Sequence, residues 1–249
     1  MEPLSLLWVT LAAFFAGGLN SLAGGGSFIT LPALLYTGIS PVLANTTSAA
    51  VLLPGYLGSV FGFKKTFSTI EIKRLIPLLS LTIIFSIGGA SLLINSSDEV
   101  FLKIIPFLIL LATFLFIFNP VSGDGGGHSK NWYQRFGLSF VSVYGGYFNG
   151  GLGIALLSVL SLSREFSLKQ MTAIKSLLSF LITSVSVTVF LLNGFIVWSY
   201  VLFMIIFSIA GGFVGAKLTE VLPSRVVRTF IIFIGLSLSA SLIFMSYIK

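Results

Sequence analysis

The sequence predicts an all-α polytopic membrane protein that is built from two inverted repeats. Its 249 residues are 56% hydrophobic and only 8% charged, and it contains no cysteine. This composition is typical of a chain that crosses a membrane several times, not of a soluble globule. Uncharged runs separate clusters of basic residues, and glycine-rich stretches interrupt two of those runs. Together these patterns predict the topology.

Most of the uncharged runs have the length of membrane-spanning helices, which need about 20 residues each. The runs at 75–97, 104–123 and 229–248 hold one span each. The run at 176–216 holds two spans, separated by the turn-forming pair Asn193-Gly194.

The basic residues predict which side of the membrane each span faces. Eleven of the 14 Lys and Arg residues fall in four groups that the positive-inside rule assigns to the cytoplasm. Arg135 and Arg164 both belong to these groups, so the uncharged run between them must enter and leave on one side. We therefore expect residues 136–163 to form a re-entrant hairpin of two partial helices that turns at Asn149 to Gly153.

The first uncharged run predicts the same arrangement. A hairpin that turns at Gly24-Gly25-Gly26 precedes a span from about Pro41 to Phe63. Broken helix is tolerated in a membrane only where protein or a polar cavity surrounds it, so these glycines are expected in the interior.

Each half thus consists of a hairpin and three spans, or about eight hydrophobic segments in all by conventional count. An odd number of crossings gives the halves opposite orientations, with both termini expected outside. The motif from Ile84 to Gly89 (IFSIGG) recurs from Ile206 to Gly211 (IFSIAG), which supports a duplication. The chain then divides into a first repeat at 1–118, a cytoplasmic linker at 119–135 and a second repeat at 136–249. Inverted repeats with broken helices are typical of secondary transporters.

The two helix breaks form the predicted binding site. A short helix follows each glycine turn, and its N-terminus offers free N–H groups and a positive partial charge to an anion. Glycines also allow close approach of a small ligand. The candidate substrate-binding residues are the two turns and the polar residues near them: Asn20, Ser21, Gly24, Gly25, Gly26, Ser27, Asn45, Thr46, Thr47, Ser48, Asn149, Gly150, Gly151, Gly153, Lys175 and Ser176.

Close packing of helices is the alternative explanation for each glycine cluster. We prefer packing for Gly17-Gly18, Gly88-Gly89 and Gly211-Gly212, and ligand binding for the two hairpin turns. Lys175 has two interpretations that the sequence leaves open. It either neutralises a bound anion inside the membrane or extends to the cytoplasmic interface.

The acidic residues and the single histidine all fall in loops or at span ends. The sequence therefore predicts no carboxylate proton relay, no metal site, no cofactor and no catalytic set of an enzyme. The expected partners are a small anionic solute and the lipid bilayer, not nucleic acid, and a homodimer stays open. An anion channel and a non-transporting accessory subunit are the alternative functions.

Three stretches resemble the TauE/SafE family of sulfite exporters. They are NSLAGGGSFITLPALLYTGISPVLANTTSAAVLL, its weaker echo GYFNGGLGIALLSVLSLS with LKQMTAIKSLLSF, and GAKLTEVLPSRVVRTF. The resemblance implies a permease of the bacterial cytoplasmic membrane for sulfite or a related sulfur-containing anion such as an organosulfonate. In the family pattern the second half continues with a Thr-Ser pair after its alanine, like Thr47-Ser48 in the first half. This chain departs from that pattern, because Ala173 is followed by Ile174-Lys175-Ser176.

Overall fold

The computed structural model describes residues 3–118, 131–162, 165–218 and 224–244, together with Tyr247, and over these ranges the chain forms helices and no strands. This confirms the all-α class. Residues 119–130 of the predicted linker lie outside the described residues, and so does Arg164.

The first half contains the helices α1 (Pro3–Ala23), α2 (Ser27–Tyr36), α3 (Pro41–Gly62), α4 (Lys64–Phe67), α5 (Ile72–Ile94) and α6 (Asp98–Phe118). The second half contains α7 (Asn131–Tyr147), α8 (Leu152–Ser161), α9 (Leu168–Leu192), α10 (Trp198–Leu218) and α11 (Ser224–Ile243). Local chemistry explains two of the starts. Pro41 occupies the first position of α3, where its missing N–H costs nothing. Ser167 and Gln170 form a capping box at the start of α9.

Three helices in the described part of the chain are long and apolar enough to cross a membrane by themselves, namely α5, α9 and residues 198–215 of α10. Helix α3 has a similar length of 22 residues but carries the polar run from Asn45 to Ser48. The protein is therefore a membrane protein with several spans.

Both interrupted helices break where the sequence predicted. Helix α1 ends at Ala23 and α2 begins at Ser27, whereas α7 ends at Tyr147 and α8 begins at Leu152, inside the turn predicted from Asn149 to Gly153. Helices α2 and α8 have 10 residues each. At 1.5 Å per residue they span about half of the roughly 30 Å hydrocarbon core.

The first helix of each hairpin packs mainly against the other half of the chain. Helix α1 packs along α10, and α7 packs along α5. Helix α3 also packs against α9, and α6 against α11. This list of pairs is unchanged when each first-half helix is exchanged with its second-half counterpart, as two related repeats would require. The inverted orientation and the repeat boundaries themselves stay a prediction.

Glycines permit the close approach of α1 to α10. A methyl group added at Gly17 would overlap the carbonyl oxygen of Ser208, and one added at Gly211 would overlap the carbonyl oxygen of Phe14. Backbone cannot yield as a flexible side chain can, so larger residues there would force the helices apart. The packing interpretation is confirmed for these two glycines.

The crossing of α5 and α7 has the same character. A methyl group at Gly89 would overlap the carbonyl oxygen of Val143, and one at Gly146 would overlap that of Ser86. Gly88 differs, because nothing lies within 4 Å of the position its side chain would occupy. The packing interpretation is therefore confirmed for Gly89 and wrong for Gly88, whose place on the helix faces outward.

Candidate functional site

The two glycine turns lie against each other in the protein interior. A methyl group added at Gly24 would lie 3.3 Å from the Cα of Gly153. The ring of Phe28 in α2 reaches the second turn, 2.8 Å from where a methyl group at Gly150 would lie. Gly24 and Gly151 have positive φ angles of 79° and 71°, a conformation that glycine adopts readily. The N-termini of α2 and α8 therefore lie close together.

Five backbone N–H groups at these turns have no hydrogen-bond acceptor among the described residues. They belong to Gly25 and Gly26 in the first turn and to Gly150, Gly151 and Gly153 in the second. All five residues are buried. The first N–H groups of any helix have no partner within the helix, so these buried groups depend on acceptors from outside it, such as water or a ligand.

Two side chains next to the first turn also carry unpaired polar atoms. Ser27 is only 2% exposed, and its Oγ has no hydrogen-bond partner. The Oδ1 of Asn20, in the last turn of α1, is likewise buried and unpartnered. The site thus offers a hydroxyl and a carbonyl oxygen in addition to the N–H groups. The side chain of Ser21 lies outside the described part of the chain.

Hydrogen bonds connect the second hairpin with α3 and α9. Asn149, which is 4% exposed, donates from Nδ2 to the Oγ1 of Thr183 at 2.9 Å. Its Oδ1 accepts from the hydroxyl of Tyr56 at 3.3 Å. The Nδ2 of Asn20 lies near the same part of α3, 3.7 Å from where a methyl group at Gly55 would lie. Sequence reasoning missed Tyr56 and Thr183, because neither belongs to a glycine turn. The one signal for them is their position, since each lies fifteen residues after the first residue of its helix.

A second tyrosine holds the carbonyl side of the second turn. The hydroxyl of Tyr144 donates to the carbonyl oxygen of Gly150. It also lies 3.4 Å from the carbonyl oxygen of Leu108 in α6. The turn is thus held through a carbonyl group while its N–H groups stay unpaired.

The polar run of α3 divides into two pairs. Asn45 donates from Nδ2 to the carbonyl oxygen of Tyr147 at 3.0 Å, next to the second turn, and its Oδ1 is unpartnered. Ser48 shares a 2.5 Å hydrogen bond with Thr30 of α2. Both residues therefore contact a hairpin, as expected of residues near the site.

The hydroxyl groups of Thr46 and Thr47 contact a different part of the molecule. Thr46 donates to the carbonyl oxygen of Phe195, and Thr47 accepts from the N–H of Val197 at 3.2 Å. Both partners belong to the loop between α9 and α10. Both threonines thus bind this loop, and no hydrogen bond joins their hydroxyl groups to the glycine turns in the described residues. Their predicted role in binding stays untested.

Lys175 lies in the third turn of α9, half-buried and without a hydrogen bond or ion pair among the described residues. Counted from the helix starts at Pro41 and Leu168, it corresponds to Ser48 of the first half. Ser176 is buried and donates to a carbonyl oxygen of its own helix at 3.0 Å. Of these two candidates, Lys175 is the one with unused donors.

The described carboxylates lie at helix ends or in a loop: Glu71, Asp98, Glu99 and Glu165. Asp98 accepts from the N–H of Val42 at 2.9 Å and so caps the start of α3. The described part of the chain holds no group of three His, Asp or Glu side chains that could bind a metal ion. None of these four carboxylates forms part of either glycine turn.

These features define a class of protein. Two interrupted helices, each packed on the opposite half and meeting in the interior, are typical of membrane transporters. Residues 9–242 match the model of the family described as sulfite exporter TauE/SafE, and the chain belongs to this family.

Curated relatives agree with this class. The chain is 31% identical over 241 residues to a probable membrane transporter protein of Haemophilus influenzae, covering 93% of this chain and 91% of the relative. It is 27% identical to the probable membrane transporter protein YfcA of Escherichia coli K12, covering 99% and 93%. It is 26% identical to the probable membrane transporter protein ORF9 of a Sinorhizobium species, covering 96% and 92%. No solved structure matches the chain.

Proposed function

We propose that this transporter carries a small oxyanion across the bacterial cytoplasmic membrane by alternating access. Sulfite or a related sulfur-containing anion, including an organosulfonate, is the proposed substrate. The observation that supports this most is the set of five unpaired N–H groups where the two glycine turns meet. The description of the family as sulfite exporters supports the choice of sulfur.

The chemistry of the site favours a negative ligand. Unpaired N–H groups at the N-termini of α2 and α8 donate to oxygen, and both helix dipoles present their positive ends there. None of the described carboxylates belongs to either glycine turn. Lys175 has unused donors and would add positive charge as the anion passes. A cation would meet mainly donors at this place.

The packing of the hairpins supports alternating access. Because α1 packs on α10 and α7 on α5, movement of one half relative to the other displaces one turn relative to the other. Rocking of repeats about a fixed midplane site is the general mechanism of such folds. The four groups of basic residues support a cytoplasmic position for their loops, and both termini are accordingly proposed to lie outside.

Flux of labelled sulfite into proteoliposomes of the purified protein tests this function. Sulfate, thiosulfate, sulfoacetate and chloride serve as competitors, and the unfolding temperature is measured with each anion. Saturable flux with selective competition, and a higher unfolding temperature with the transported anion, are expected, since a ligand stabilises the state it binds. Absence of flux together with an unfolding temperature that no anion changes would refute the anion site. Large unsaturable currents would instead indicate a channel.

A further inference from the structure

Each hairpin carries an asparagine at the same distance from the glycine where its helix crosses the other half. Gly17 of α1 lies against the backbone of α10, and Gly146 of α7 lies against the backbone of α5. Asn20 follows Gly17 by three residues, and Asn149 follows Gly146 by three. The two amide side chains therefore hold equivalent places beside the two turns.

The partners of these asparagines are equivalent in position and different in size. Tyr56 in α3 and Thr183 in α9 lie at the same distance from the start of their helices. Thr183 accepts from Asn149, the asparagine of its own half, at 2.9 Å. Tyr56 is longer and donates to Asn149 of the other half at 3.3 Å. In its own half, the Nδ2 of Asn20 lies 3.7 Å from where a methyl group at Gly55, the neighbour of Tyr56, would lie. The asymmetry places an aromatic ring where the second half has a small side chain.

Tyr56 is one of several bulky side chains that enclose the two turns. It is 5% exposed and packs in one cluster with Ala16 and Leu52. A methyl group added at Gly26 would lie 3.0 Å from the side chain of Leu52. At the other turn, a methyl group at Gly150 would lie 2.6 Å from Cε1 of Phe148. The unpaired N–H groups are therefore surrounded by large, closely packed side chains.

We propose that Tyr56 limits the size of the transported anion, so that the site accepts a compact inorganic sulfur oxyanion and excludes an organosulfonate with a longer tail. This inference rests on the anion transport proposed above. The three oxygens of sulfite can accept from N–H groups of the two turns, and sulfite has no carbon atoms that need further room. An organosulfonate offers a similar head but needs room for its tail, and Tyr56 of α3 lies beside the second turn, where its hydroxyl bonds Asn149.

The hydroxyl of Tyr56 has a separable role. It donates to the Oδ1 of Asn149 and so positions the amide side chain of the second hairpin. Removal of this hydroxyl alone keeps the ring and should keep the size limit. Replacement by the residue found in the second half removes the ring and should relax the limit.

Competition in the sulfite flux assay separates these roles. The probes are methanesulfonate, propanesulfonate and sulfoacetate, which share the sulfonate head, each compared with unlabelled sulfite. Sulfoacetate adds a carboxylate charge as well as length, so propanesulfonate, whose tail of similar length is uncharged, should compete as weakly as sulfoacetate; strong competition by propanesulfonate would overturn the size limit. In the unaltered protein, the concentration of sulfoacetate that halves the flux should be at least about tenfold higher than that of unlabelled sulfite. Such a ratio is typical of discrimination by volume. Tyr56→Thr should bring the two within about threefold, whereas Tyr56→Phe should preserve the difference. Tyr200→Thr removes the same volume at another buried position and should leave the ratio unchanged.

The outcomes distinguish this inference from the proposed function. Absence of saturable sulfite flux in the unaltered protein would overturn both. Sulfite flux that sulfoacetate inhibits as strongly as sulfite does would overturn the size limit alone. An unchanged ratio in folded Tyr56→Thr would do the same. If that variant fails to fold, Tyr56→Leu and the competition in the unaltered protein decide the question.

Discussion

The contact between the two glycine turns predicts that Gly24→Ala harms the protein more than the same substitution at Gly38. Both glycines have nearly the same left-handed backbone, with φ of 79° at Gly24 and 82° at Gly38. The backbone strain of an alanine is therefore alike at the two positions, about 1–2 kcal/mol. Their surroundings differ, because nothing lies within 4 Å of the methyl group at Gly38.

The magnitude of the difference follows from the neighbouring turn. At Gly24 the added methyl group would lie 3.3 Å from the Cα and 3.5 Å from the backbone nitrogen of Gly153. Backbone atoms there can move only if the whole turn moves, and overpacking of this kind costs about 1–3 kcal/mol. Gly24→Ala should therefore lower the free energy of unfolding by about 2–5 kcal/mol, against about 1–2 kcal/mol for Gly38→Ala.

Thermal unfolding in detergent and sulfite flux in proteoliposomes measure the two consequences. The extra loss at Gly24 corresponds to an unfolding temperature about 2–12 °C below that of Gly38→Ala. Flux should fall strongly in Gly24→Ala, because the turns that carry the unpaired N–H groups are pushed apart, and should persist in Gly38→Ala. If the two variants have equal unfolding temperatures and equal flux, the contact between the turns contributes neither to stability nor to transport, and the reasoning is wrong.

Three further predictions concern single positions. Gly89→Ala should destabilise the protein by about 1–3 kcal/mol in denaturant or thermal unfolding. Gly88→Ala on the same helix should leave stability unchanged or raise it by up to about 1 kcal/mol, because alanine favours a helix and meets no neighbour there; similar losses in the two variants would contradict the packing of α5 on α7. Lys175→Met should reduce the rate of sulfite flux without lowering the unfolding temperature. Lys169 is an exposed lysine of the same helix, and Lys169→Met should leave the rate of flux unchanged. An unchanged rate in Lys175→Met would favour the interpretation that Lys175 extends to the cytoplasmic interface. Asn149→Ala should cost about 1–3 kcal/mol of stability, because two buried hydroxyl groups lose their partner, and a stability loss below about 0.5 kcal/mol would contradict the hydrogen bonds described for it.

Much of the fold followed from the sequence because it depends on local properties. Uncharged runs of sufficient length form helices in a membrane, where every backbone group needs an internal partner. Glycine clusters at 24–26 and 150–153 interrupt such runs, so the positions of both breaks were predictable to within a few residues. The approach of the two turns was also expected, as a consequence of two similar halves in opposite orientation.

Other features depended on which residues meet in space. Gly88 and Gly89 are neighbours of the same type, yet only Gly89 faces α7, and their sequence alone does not separate them. Thr46 and Thr47 lie in the same polar run as Asn45, but their hydroxyl groups face a loop almost 150 residues away in the chain. Side-chain direction around a helix changes by about 100° per residue, so neighbours serve different partners.

The sequence by itself determined that this chain is helical, lies in a membrane and breaks two of its helices at glycine turns, because each of these outcomes depends on residues close together along the chain. Only the tertiary structure decided what surrounds the turns. Tyr56 reaches Asn149 across 93 positions of sequence, and it does so because α3 lies beside both hairpins at once. Contacts of that kind depend on the packing of whole helices, which no short stretch of sequence contains.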